Sequence, residues 1–207
     1  MKTLKSALLV AALLTSGSAF AATNLIQNGD FESSDLSSLT EVTNSSGTYW
    51  TVNAGLHNLS DWTVGGTSID LIKNGYGVID GLSVDLAGSP GPGSISQSFD
   101  MIAGYTYILT FDMSSNGNNQ ADVTFGELLA ETFTVNTIPT TFTRSFVASS
   151  DNTTSLTFAS VGGKTNSGAV IDNVSVIAVP EPETYALMLA GLGLVGFLAR
   201  RRKPIVA

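Results

Sequence analysis

Tyr105-Thr106-Tyr107-Ile108-Leu109-Thr110-Phe111 is the stretch whose alternation decides the fold. Tyr105, Tyr107, Leu109 and Phe111 share one side at a period of two, the period of an extended chain and not of a helix. Residues 141–147 do the same, with Thr141, Thr143 and Ser145 set between Phe142, Arg144 and Phe146. Outward from these, short β-rich runs lie at 50–52, 67–72, 83–86, 94–99, 105–113, 121–125, 131–135, 140–148, 154–160 and 169–178. Asn28-Gly29, Gly65-Gly66, Asn74-Gly75, Asn116-Gly117 and Gly162-Gly163 punctuate the chain as turns. One helix-like stretch, 127–131, is a single turn or a strand edge. The pattern predicts an all-β protein, a single jelly-roll-like antiparallel β-sandwich over 22–178.

Composition narrows the chemistry. The chain has 207 residues, no cysteine and one histidine, His57. Disulfides, thiolate metal sites, cysteine nucleophiles and multi-histidine sites are therefore excluded. The net charge is -8, and between residues 22 and 178 there are 3 basic and 15 acidic residues, which argues against a nucleic-acid partner. No phosphate loop, dinucleotide fingerprint or G-x-S-x-G elbow is present.

The two ends read as addresses. Lys2 and Lys5 precede an apolar run at 7–14, and Ala19 and Ala21 stand at the −3 and −1 positions of a cleavage site, so 1–21 is a signal peptide with a short signal helix. Signal peptidase is the implied partner. At the other end, Val179-Pro180-Glu181-Pro182 is stiff and extended. Residues 184–199 carry no charge, and Arg200, Arg201, Arg202 and Lys203 close the segment. Sixteen helical residues at ~1.5 Å each span about 24 Å, short of a ~30 Å hydrocarbon core but extendable by snorkelling arginines and an interfacial Tyr185. A C-terminal transmembrane helix with its basic end cytoplasmic is expected. The order of proline motif, glycine-containing apolar helix and basic cluster in 179–203 resembles the PEP-CTERM sorting signal. That resemblance implies processing by an exosortase in a Gram-negative bacterium that makes exopolysaccharide. It also implies anchoring in the inner membrane before processing, then transfer to the cell surface or extracellular matrix.

Three segments of the body carry a second resemblance. They are Asn24-Leu25-Ile26-Gln27-Asn28-Gly29-Asp30-Phe31-Glu32, the residues around 84–107, and Gly168-Ala169-Val170-Ile171-Asp172-Asn173-Val174-Ser175-Val176, with Asp61-Trp62-Thr63-Val64 near the first. Together they resemble the choice-of-anchor C family, which is similar to plant cell-wall proteins and to galactose-binding-like jelly-roll domains. The resemblance implies that the first and last segments lie side by side, with a structural calcium held by Glu32, Asp172 and backbone carbonyls. Calcium takes six to eight oxygens, which two carboxylates and carbonyls can supply.

Sugar recognition on a sandwich uses exposed aromatic rings and planar polar groups. Tyr49, Trp50 and Tyr76 in the loop-rich region 44–80 are the candidate platform, Trp62 is read as core, and the polar loop Asn116, Asn118, Asn119 and Gln120 can serve sugar hydroxyls or end a strand. Asp85 and Asp112 interrupt apolar runs and are expected to bond buried backbone groups. The favoured reading is a non-catalytic carbohydrate-binding or adhesion module associated with exopolysaccharide. Two alternatives stand beside it. A structural matrix protein predicts no clustered aromatics. A glycan hydrolase predicts a cleft with two facing carboxylates.

Overall fold

The computed structural model describes residues 23–136, 138–162, 165–180 and 182–201. The strands follow the sequence periodicity closely. In order they are β1 (Glu41–Asn44), β2 (Gly47–Asn53), β3 (Thr63–Gly66), β4 (Ser68–Lys73), β5 (Ser83–Asp85) and β6 (Gly93–Met101). They continue as β7 (Tyr105–Ser115), β8 (Gln120–Phe125), β9 (Leu129–Thr134), β10 (Thr140–Val147), β11 (Asn152–Ser160) and β12 (Ala169–Pro180), followed by helix α1 (Pro182–Arg201). Two strands, β1 and β3, were not expected. They are Glu-Val-Thr-Asn and Thr-Val-Gly-Gly, each with a single apolar residue, and so carry almost no alternation signal.

Two antiparallel sheets pack face to face. One has seven strands in the order β1-β2-β4-β5-β12-β7-β10, the other five in the order β3-β6-β11-β8-β9. The chain crosses between them repeatedly, as in a jelly roll. Apart from the edge strand β1, the strands turn one side to the common core. On β7, Tyr107, Leu109, Phe111 and Met113 are all at most 1% exposed. They meet the five-stranded sheet through aromatic contacts such as Phe111 with Phe158, 5.0 Å between centroids, and Phe111 with Phe133, 5.1 Å. Such tilted and edge-on pairs suit the ring quadrupoles and add to the burial of each phenylalanine.

The first and last segments of the body meet as the resemblance implied. Leu25 N donates to Val176 O (2.8 Å), and Val176 N donates to Asn24 Oδ1 (3.0 Å). Strand β12 is bulged between Asp172 and Ser175, with Asn173 at φ 50°. Asn28-Gly29 docks on that bulge, where Val174 N donates to Gly29 O (2.8 Å). A Cβ at Gly29 would lie 2.0 Å from Val174 O, so only glycine permits the approach. Trp62 is buried, as expected, with Nε1 donating to Asn28 O (3.0 Å). The Asn-Gly-Asp-Phe-Glu motif is thus a clasp between the chain ends.

The sorting segment begins inside the sandwich. Val179 and Pro180 are the last residues of β12, opposite Thr106 and Tyr105 of β7. Pro182 opens α1, a position where a missing N–H costs nothing. Arg200 and Arg201 end it. The apolar side chains of Leu189, Leu192, Leu194, Val195 and Leu198 are exposed. Where a transmembrane helix was expected, a helix is found, but among the described residues no helix is long and apolar enough to cross a membrane. Its uncharged run is short and is bounded by Glu183 and Arg200. The signal peptide with Ala19 and Ala21, and Glu181, Arg202 and Lys203, lie outside the described residues.

Candidate functional site

Strand alternation leaves each sheet an outward side. On the seven-stranded sheet that side carries Tyr49 and Thr51 of β2, Ser68, Asp70 and Ile72 of β4, Ser83 and Asp85 of β5, and Asp172 of β12. These positions would ordinarily face water. Here Ser68, Asp70, Ile72, Ser83, Asp85 and Asp172 are buried. Loops after β4, β5, β7 and β11 fold back across the sheet, held by Ser114 Oγ donating to Gly77 O, Asn166 N to Gly88 O (3.4 Å) and Ser167 Oγ to Asn116 O.

The loops leave a cleft of about 160 Å³ lined by Asn44, Tyr49, Asp70, Ile72, Tyr76, Asp85, Asn116 and Asn166. Tyr49 and Tyr76 stand edge to face at its mouth, 5.8 Å between centroids. Tyr76 sits in a turn where Asn74, Gly75, Tyr76 and Gly77 all have positive φ. A tyrosine at φ 52° is uncommon, and the turn is fastened by Tyr76 Oη donating to Asn44 Oδ1 (2.7 Å). Two other hollows, of about 360 and 350 Å³, are larger but hold neither an aromatic ring nor a buried carboxylate.

The floor of the cleft is acidic. Asp70 and Asp85 are directly opposite across β4 and β5. Asp70 Oδ1 accepts from Thr51 Oγ1 (2.7 Å) and Ser89 N (3.3 Å). Asp85 accepts Ala87 N on Oδ1 and Asn116 Nδ2 on Oδ2, both at 2.8 Å. Burial pushes the Asp85 carboxyl up to about 6 against the pull of these bonds, and the neighbouring Asp70 adds to the rise. Burial also raises Asp70, opposed by Thr51 and Ser89.

Of the three residues expected to form a sugar platform, the structure brings Tyr49 and Tyr76 together and separates Trp50. Period two decides this: Tyr49 points outward and Trp50 inward, where it is 7% exposed in the core. Trp50 is thereby removed from the surface set. Asn116 was expected from its loop. Asp70, Asn44 and Asn166 were missed. Asp70 was legible, because a charge at an apolar run's centre with no basic neighbour signals a buried carboxylate.

Glu32 and Asp172 reach the same turn, 80–83. Leu82 N donates to Glu32 Oε1 (2.6 Å). Asp80 N (3.2 Å) and Ser83 Oγ (2.8 Å) donate to Asp172 Oδ2, and Asn173 N (2.7 Å) to Oδ1. Burial raises Asp172 to about 6 despite these bonds, and Asp112 adds to the rise. Among the described residues no three acidic or histidine side chains gather to hold a metal. N–H and O–H donors now meet both carboxylates, so an ion would have to bring turn carbonyls in their place.

Residues 24–177 match the family described as "Protein of unknown function (DUF642)", and residues 178–203 match the "PEP-CTERM protein-sorting motif". The broad kinship read from the three segments is therefore found, while the choice-of-anchor C name is not among the matches. No curated protein matches the chain. Among solved structures it is similar to a CBM4 structure, 18% identical over 74% of this chain and 99% of that one, with a TM-score of 0.45. A family 16 carbohydrate binding module is 15% identical over 74% and 99%, TM-score 0.45. TmCBM61 in complex with β-1,4-galactotriose is 13% identical over 75% and 98%, TM-score 0.38.

Proposed function

From the premise that this chain belongs to the DUF642 family and ends in a PEP-CTERM protein-sorting motif, we propose an exported, exosortase-sorted protein whose sandwich is a non-catalytic carbohydrate-binding module. The sorting motif marks export and sorting to the cell surface. The observation that carries the binding reading is the Tyr49–Tyr76 pair over the Asp70–Asp85 floor. Aromatic rings offer a face to the apolar side of a sugar, and carboxylates and asparagine amides offer partners to its hydroxyls. At about 160 Å³ the cleft is smaller than the ~300–1,000 Å³ of drug-sized pockets, so it suits one sugar unit of a chain. Exopolysaccharide is the proposed partner, and α1 with its basic end is the proposed inner-membrane anchor before processing. Mature protein purified after export should bind one glycan of a bacterial polysaccharide panel saturably. Tyr49→Ala and Tyr76→Ala should each weaken that binding in protein that remains folded at the assay temperature, as a melting curve checks. Undiminished binding by Tyr76→Ala and Tyr49→Ala would overturn the cleft as the site.

Structural calcium at Glu32 and Asp172 belongs to the same proposal. The ion would close the clasp between the chain ends at the 80–83 turn. A rise of Tm with calcium that Glu32→Ala plus Asp172→Ala abolishes supports it, and no rise in the unaltered protein removes it.

One observation favours a second reading. Asp70 and Asp85 are paired carboxylates in a cleft, with Asp85 raised as a general acid would be. Both are nearly buried and hydrogen-bonded, however, which suits binding better than attack on a sugar. New reducing ends released from a bound glycan would shift the assignment to a hydrolase.

A further inference from the structure

The charge of the cleft carries the argument one step further. Two of its lining side chains are carboxylates, and none of the lining residues is basic. The nearest basic residue along the sheet, Lys73, lies at the exposed end of β4 and one step out of phase with Asp70 and Ile72, so it points to the other side. Arg144 is engaged by Glu131 on the far edge of the sandwich. The floor therefore has no counter-charge among the described residues.

The hydrogen bonding shows which oxygen seeks one. Both donors to Asp70 go to Oδ1. Asp70 Oδ2 meets no hydrogen-bond donor among the described residues, although the side chain is only 4% exposed and lines the cleft. The buried side-chain atom without a partner among the described residues is Ser160 Oγ, so Asp70 Oδ2 is open to the cleft and free to accept from an N–H⁺ group that a ligand brings, a charge-assisted bond. The two tyrosines at the mouth present electron-rich ring faces, which attract cations and do not repel them. A uronic acid unit would set its own carboxylate against Asp70 and Asp85. A neutral hexose would meet them through its hydroxyls alone, without opposite charge.

We propose that the cleft takes a hexosamine unit whose amino group is free and protonated, with Asp70 Oδ2 as its first counter-charge, Asp85 behind it and the Tyr49 and Tyr76 rings flanking the sugar. This rests on the reading that the cleft binds glycan, and names the class of sugar. The acidity of the body, 3 basic against 15 acidic residues, steers such a ligand toward it.

The test is calorimetry on mature exported protein with oligomers of glucosamine, N-acetylglucosamine and glucose at neutral pH. Glucosamine oligomers should bind about tenfold tighter than the other two at low salt, and added salt should narrow the gap. Asp70→Asn, checked for retained folding, should abolish the preference for glucosamine oligomers over the other two, whatever it does to the affinity all three share. Equal affinities in the unaltered protein, or a preference that survives both salt and Asp70→Asn, overturn the hexosamine assignment while leaving the carbohydrate-binding module standing. Binding of none of the three, with binding of another neutral glycan retained, likewise removes only the hexosamine step. Binding of no glycan at all removes both.

Discussion

The outward sides of the two sheets obey the same alternation, but around β4, β5 and the start of β12 the larger sheet's outward residues meet a fate opposite to those of β6, β8 and β11 in the smaller. On the five-stranded sheet, Ser94, Ser96 and Ser98 of β6, Thr153, Ser155 and Thr157 of β11 and Asp122 and Thr124 of β8 are half-buried or exposed. Thr63, Ser96, Thr157 and Thr124 even fall in one cross-strand row. On the seven-stranded sheet, Ser68, Asp70, Ser83, Asp85 and Asp172 occupy equivalent outward positions and are buried under loops. The difference teaches that small polar residues opposite a core are not a solvent face by right. Where loops cover them, hydroxyls and carboxylates become a hydrogen-bonded inner layer, and the gap between loops becomes a cleft.

Measurements can break or sharpen that contrast. The largest effect belongs to the shared core, which sets the scale: Phe158→Ala on β11 should cost about 3–5 kcal/mol in urea unfolding, because it leaves a cavity against Phe111 and Trp62. Next comes pH. Asp85 and Asp172 are raised to about 6 in the folded state, so folding takes up protons between their unfolded values and about 6. The stability they contribute is full below about pH 4 and is lost as the pH rises through about 6. For Asp85 the difference is on the order of 3 kcal/mol. Unfolding midpoints measured from pH 4.5 to 7.5, roughly spanning that window, should fall, and Asp85→Asn should flatten the slope. A midpoint that climbs with pH would mean the loops do not seal the carboxylates.

The sharpest comparison is between two serines. Ser83 Oγ donates to Asp172 and accepts Ile79 N (3.0 Å), so Ser83→Ala should cost about 1–3 kcal/mol. Ser96→Ala, on the open sheet, should stay within about 0.5 kcal/mol. Equal costs would erase the distinction between the two outward sides. The smallest effect is expected at the sandwich edge. Arg144 of β10 reaches Glu131 of β9 with two hydrogen bonds and lies 4.6 Å over the Phe133 ring, tying one sheet to the other. Both side chains are partly exposed, so Glu131→Gln should cost no more than about 1 kcal/mol, and molar salt should hide it.

Legibility followed the same division. Ten strands were visible because their side chains keep a period of two. Two were not, because Thr63-Val64-Gly65-Gly66 and Glu41-Val42-Thr43-Asn44 hold one apolar residue each and so show no alternation. Tyr49 and Tyr76 were visible as aromatics in loop-rich sequence, but Trp50 beside Tyr49 was assigned to the surface with it. Adjacent residues in a strand point to opposite sides, and choosing which side is core requires the partner strands.

By itself the sequence determined the all-β class, the address-like ends and the acidic body without thiols, because alternation, charge order and turn residues are local properties of the chain; the pairing of the Asn28-Gly29 and Asp172-Asn173 segments came from the resemblance and not from any local pattern. The tertiary structure alone decided that Asp70 and Asp85 lie side by side, that loops bury the outward side of β4 and β5 and leave that of β6, β8 and β11 open, and that two tyrosines 27 positions apart meet over a carboxylate floor. Those are consequences of strand order and loop path, which place residues from β2, β4, β5 and the loop after β7 around one cleft, and no local pattern encodes that order.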